Sequence, residues 1–221
     1  MAYTDIDDPT AYFQTKTYTG NGSTQNITFD GNSDLQPDWL WLKGRSLGEG
    51  HTLQNSLSGV TKHLHTNNKD LEVTDTGIVT AFNSNGFSLG DEGDVNGNSS
   101  TFVGWAWKAG TTGSGTTTGS GTGKAYSYSV NTDSGFSIVK WVGNGTAGHT
   151  IPHHLSAIPS VMIHKRIDAG GGSAGLDAWQ FYHQALGNTK RLVINSTAAE
   201  DAHTTYFNDT SPTSSVFTLG T

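Results

Sequence analysis

Four histidines, His149, His153, His154 and His164, form the densest cluster of groups able to bind a metal or carry a proton in this 221-residue sequence. Neutral imidazole is the commonest metal ligand, and a loop running into a strand can bring three such rings to one point. Their spacing matches no metal motif, and no Asp or Glu lies between His149 and Arg166, so solvent-facing or interface histidines are expected. Asp91, Asp94, Asn96 and Asn98 alternate oxygen donors through a Gly-containing loop, as calcium loops do, but the closing bidentate Glu is absent. A solvated turn rich in Asn and Gly is the expected outcome, and no metal or other cofactor is assigned.

Catalytic signatures are missing as well. There is no Gly-x-Ser-x-Gly elbow, and the acids, Asp177 and Glu200 among them, form no evident pair beside an aromatic cleft. A non-enzymatic protein is therefore expected. Trp39, Trp41, Trp105 and Trp107 alternate along apolar runs, where aromatic side chains usually bury their area in a core. Trp179, next to Phe181 and Tyr182, is the candidate for stacking on a sugar ring, and Tyr12 and Phe13 in the acidic N-terminal stretch are candidate attachment residues.

Composition narrows the class. Only 14% of residues are charged and 29 are Gly, with Ser, Thr and Asn plentiful, the balance of a loop-rich all-β protein. A net charge of -7 argues against phosphate neutralisation, hence against a nucleic-acid partner, and disfavours an anionic membrane surface. There is no cysteine, so disulfides and thiolate metal sites are excluded. The first residues carry Asp5, Asp7 and Asp8 where a secretory signal would be basic and apolar, and no run is long enough to span a bilayer, so synthesis in the cytoplasm without membrane insertion is expected.

The elements that must position these residues read as short strands between Gly and Asn turns. Pro37-Asp38 opens Trp39-Leu40-Trp41-Leu42-Lys43, whose alternating large residues require cover on both faces and hence a central place in a sheet. In Phe102 to Trp107 one face carries Phe102, Gly104 and Ala106, the other Val103, Trp105 and Trp107; the tryptophans are expected to plug a core. Short helical turns are expected at 178–186 and 197–206. Residues 110–123 are all Gly, Ser or Thr, the composition of a flexible linker.

Landmarks before that run return after it in the same order. Asn144 lies 123 residues after Asn21 within Gly-Asn-Gly, Lys165 lies 122 after Lys43 at the end of a Pro-led apolar run, Gly187 lies 128 after Gly59, and Phe217 of Phe-x-Leu-Gly lies 130 after Phe87. The drift is absorbed by loops such as 168–177. Internal duplication follows. The reading is all-β, with two tandem β-sandwich, jelly-roll-like units: an N-terminal arm at 1–14, a first unit at 15–109, a linker at 110–124 and a second unit at 125–221. The strand at Phe102 to Trp107 has no second occurrence, so the second unit is expected to be one strand short. An open edge of that kind invites pairing. Either the arm or a neighbouring subunit fills it, or the natural chain runs further, or the register of the repeat differs.

These residues also carry a resemblance. The runs Tyr18-Thr19-Gly20-Asn21-Gly22-Ser23-Thr24-Gln25, Gln36 to Lys43, Phe87 to Gly90 and Phe102 to Gly110 resemble a module of virion proteins of tailed bacteriophages, notably marine ones. The opening Met1-Ala2-Tyr3, Ile6 to Pro9 and Tyr12 to Thr15 are similar to the start of those proteins, and Gly143 to Gly145, Trp179 to Tyr182 and Asn195 to Ala199 resemble the module's second copy. The resemblance implies a virion structural protein in a tail fibre, tail appendage or capsid decoration. It implies other virion proteins as partners and a homo-oligomer, a trimer since fibres are often threefold, and it brings no catalytic residues. The alternative is a lectin-like module contacting a host-surface glycan in host attachment.

Overall fold

The structure is a computed structural model and describes residues 6–168 and 178–220. It is almost wholly β, and its described residues form two compact units, one of 6–109 with 167–168 and one of 110–166 with 178–220.

The first unit contains β1 (Phe13–Thr19), β2 (Gln25–Ile27), β3 (Trp39–Gly44), β4 (Thr52–Asn55), β5 (Lys62–His65), β6 (Val73–Thr74), β7 (Val79–Asn83), β8 (Gly86–Leu89), the short helix α1 (Gly93–Asn96) and β9 (Thr101–Trp107). A six-stranded sheet runs β1-β9-β3-β4-β5-β6 and a three-stranded sheet β2-β8-β7, all pairs antiparallel. Leu40, Leu42 and Ala106 of the larger sheet meet Ile27, Val79, Phe87 and Leu89 of the smaller in one sandwich-like core. β3 does lie centrally, between β9 and β4, as its pattern requires. The tryptophans, however, do not plug the core. Leu40 and Leu42 are fully buried, whereas Trp39, Trp41, Trp105 and Trp107 lie half-buried at the alternate positions. The side of β9 turned inward is Phe102, Gly104 and Ala106, and Gly104 passes closely against Leu42 and Phe87, where a Cβ would lie 2.9 Å from Leu42 Cδ2.

The N-terminal arm at 1–14 needs a second correction, since its described residues belong to this unit. Asp8 caps a 3-10 turn at Pro9–Ala11 by accepting from Thr10 N–H at 2.9 Å and from the Ser33 hydroxyl at 2.6 Å. Gln14 is buried inside β1, donating to Thr10 O and Ser33 O and accepting from Gly31 N–H. Residues 1–5 lie outside the described residues.

The second unit contains β10 (Thr111–Thr116), β11 (Thr118–Gly119), β12 (Ala125–Asn131), β13 (Phe136–Trp141), β14 (His149–Pro152), β15 (Val161–His164), β16 (Gln180–His183), β17 (Lys190–Val193), β18 (Asp201–Ala202) and β19 (Val216–Leu219). The linker expected over 110–124 is thus two strands. β10 pairs along its length with β12, and β11 pairs with β14. A Gly-rich strand has little to bury by itself, but cross-strand tyrosines cover it: a Cβ on Gly113 would sit 2.5 Å from the Tyr128 hydroxyl, and one on Gly115 2.8 Å from that of Tyr126. Likewise the helical turn expected at 178–186 is largely strand β16, paired to β15 and β17. The sheets are β10-β12-β13, β11-β14-β19 and β15-β16-β17-β18, and Ile151, Met162, Tyr182, Phe207 and Phe217 form the core, with Val139 and Trp141 packed on it. Of the loop expected over 168–177, residues 169–177, including Asp177, lie outside the described residues.

Candidate functional site

Two strand edges of the second unit define the site. Ser160 O accepts from Gln184 N–H at 2.8 Å, and the register continues through Met162↔Tyr182 and His164↔Gln180. In an antiparallel ladder alternate residues bond to one side, so the backbone groups of Val161 and Ile163 point away from β16. Val142 N–H donates to Ala125 O at 3.1 Å with Trp141↔Tyr126 in register, so Ser137, Val139 and Trp141 likewise point away from β12. Among the described residues no strand pairs with either edge.

Both edges border the same core. The Trp141 and His164 rings meet edge-on at 5.6 Å, and both contact Phe217, His164 at 4.7 Å and Trp141 at 5.6 Å. On the other face of β15, Val161 is 46% and Ile163 37% exposed, although each belongs to an apolar strand. The Ser137 Oγ and the His164 Nδ1 are buried without a hydrogen-bond partner. Removal from water pushes the His164 imidazole down to about 4. Among the described residues, two ladders without a partner strand beside exposed apolar side chains make this an open sheet edge, the kind of surface that invites strand pairing.

The residues singled out from the sequence are distributed differently. The histidines have separate partners: His149 Nε2 lies 2.6 Å from the Thr117 hydroxyl, His153 Nε2 3.1 Å from Thr213 O, His154 stacks on Tyr128 at 3.7 Å, and His164 sits among aromatic rings. In the Asp91 to Asn98 segment Asn96 is buried in α1, donating to Gly90 O at 2.6 Å and to Ser23 O and accepting from Asn21 N–H, while Asp94 faces His65 at 3.3 Å. Glu200 pairs with Lys190. Among the described residues no three metal-ligating side chains converge.

The sugar-stacking candidate is corrected. Trp179 is 2% and Tyr182 3% exposed, with Phe181 half-buried: Tyr182 belongs to the core of the unit, and Trp179, just before β16, donates its N–H to Asn195 Oδ1 and accepts from Ile194 N–H. Tyr12 is half-buried, and the exposed Phe13 ring lies 4.7 Å from Trp107. A shallow groove of about 530 Å³ on the first unit is instead lined by Trp41, Trp105 and Trp107 with Lys43 and His51. Alternation had flagged these tryptophans; only the inward turn of Gly104 shows which way they face. The open edges had a sequence signal too, in Val161 and Ile163 standing where the earlier Pro-led run has Trp39 and Trp41.

No helix among the described residues is long and apolar enough to cross a membrane. No curated protein and no solved structure matches the chain. A domain of unknown function, DUF7483, matches residues 8–221. The chain therefore belongs to the DUF7483 family.

Proposed function

We propose that the protein is a non-enzymatic structural component of a tailed-phage virion, in a tail fibre, tail appendage or capsid decoration, made in the host cytoplasm and assembling through its sheet edges. The observation that carries the assembly reading is the pair of unfilled ladders on β13 and β15. The finer fold reading, two sandwich units from one duplicated pattern, is supported by strand order. β14 pairs β19 as β2 pairs β8, and β15-β16-β17-β18 follow one another as β3-β4-β5-β6 do. In that correspondence β13 takes the place of β1, and nothing described takes the place of β9. The virion assignment rests on the resemblance of the sequence runs.

The test is twofold. Mass spectrometry of purified phage particles encoding this chain is expected to find it among the virion proteins, and its absence there refutes the virion reading. Light scattering of the purified protein is expected to show a homo-oligomer, with three copies favoured; a monomer whose β13 and β15 edge amides are already protected from exchange refutes assembly through these edges.

A second reading, binding of a host-surface glycan, is favoured by the Trp41, Trp105 and Trp107 groove rather than by Trp179. Indole faces beside a cation and an imidazole suit a sugar's apolar ring face and its hydroxyls.

A further inference from the structure

We propose that the gap in the second unit takes an extended strand from another polypeptide, antiparallel to both β13 and β15. Its inward side chains run aromatic, glycine, small, and its outward ones are large and apolar. This rests on the edge-assembly reading above and specifies the partner.

The template is β9. In the first unit Lys108 N–H donates to Tyr12 O, which makes Gln14, Lys16 and Tyr18 the β1 residues bonded toward β9. Arg45 N–H donates to Thr101 O, which makes Trp39, Trp41 and Lys43 the β3 residues bonded toward it from the other side. Phe136 stands to Phe13, and Val161 to Trp39, as their repeats require, so Ser137, Val139 and Trp141 correspond to Gln14, Lys16 and Tyr18, and Val161 and Ile163 to Trp39 and Trp41. The open edges of the second unit are therefore the two between which β9 sits in the first. The alternate edge of β13, which has no such counterpart, is already taken by β12.

The register then dictates the pattern. Phe102 stacks on Tyr18 at 5.3 Å, and its counterpart would lie opposite Trp141. Gly104 lies between Lys16 and Leu42; its counterpart would lie between Val139 and His164, in front of Phe217, the place of Phe87. A Cβ at Gly104 would come within 2.9 Å of Leu42 Cδ2 and 3.5 Å of Phe87. His164 and Phe217 stand at the same two places with similar bulk, and the demand for a small residue carries over. Outside, Trp105 and Trp107 pair with Trp41 and Trp39, so large apolar residues in the incoming strand would cover the exposed Ile163 and Val161. Main-chain bonding supplies affinity in such additions, and alternate side chains supply selectivity.

The test adds to the full chain a synthetic peptide with the sequence of residues 100–109, and the same peptide with Gly104→Val. The expected result is saturable binding of the first, slowed amide exchange at Val139, Trp141, Val161 and Ile163, and at least tenfold weaker binding of the valine peptide. Equal binding of both peptides, protection elsewhere, or no binding to edges that exchange freely overturns the proposed pattern while leaving edge assembly standing. Edge amides already as slow as those of β16 before any peptide is added overturn both.

Discussion

Lowering the pH from 7.5 to 5 is expected to weaken the second unit through His164. The ring is buried among Trp141, Tyr206, Phe207 and Phe217, and among the described residues no carboxylate lies against it and its Nδ1 has no hydrogen-bond partner. Burial also pushes the neighbouring Tyr206 hydroxyl upward, so that group stays neutral throughout. The imidazole is held near 4 against 6.5 in the unfolded chain, so between those values the unfolded state binds the extra proton. Its contribution is complete above pH 6.5 and is lost as pH falls toward 4; at pH 5 the loss comes to about 2 kcal/mol. His51, His63, His149, His153 and His154 are also lowered by burial and add slope of the same sign. The comparison is therefore with His164→Leu, the residue found at the matching place in β3. Urea unfolding at the two pH values, read by hydrogen exchange over 161–164, should show the wild type losing about 2 kcal/mol more than the variant. A difference below about 0.5 kcal/mol refutes the placement of His164 in a dry core.

Three further substitutions test the correspondence between position and role. Asn96→Ala should cost the first unit about 2–3 kcal/mol in urea unfolding, because the Gly90 and Ser23 carbonyls lose their buried donor; unchanged stability would mean the amide is not the clasp of that loop. Trp179→Ala should cost the second unit about 3–5 kcal/mol by opening a cavity, while leaving any glycan-array signal in place, whereas Trp105→Ala should abolish such a signal with little loss of stability.

Composition and alternation determined the all-β class, the central place of Trp39 to Lys43, the small face of Phe102 to Trp107 and the recurrence of a few sequence landmarks. These are local properties, since side chains alternate along any strand whatever it meets. Which face turned inward was not local: Gly104 had to pass Leu42 and Phe87, and that contact sent Trp105 and Trp107 outward. The Gly/Ser/Thr run became β10 because Tyr126 and Tyr128, on a strand still to come, covered Gly113 and Gly115, and β11 because it paired with β14. Trp179 lost its surface where its backbone met Ile194 and Asn195, further along the chain. Phe102 to Trp107 was visible as an unrepeated stretch of sequence, yet only backbone pairing showed that, among the described residues, β13 and β15 have edges with no strand against them. Hydrogen bonds within a sheet and the shape of a core belong to pairs of distant segments, so they are decided when those segments meet.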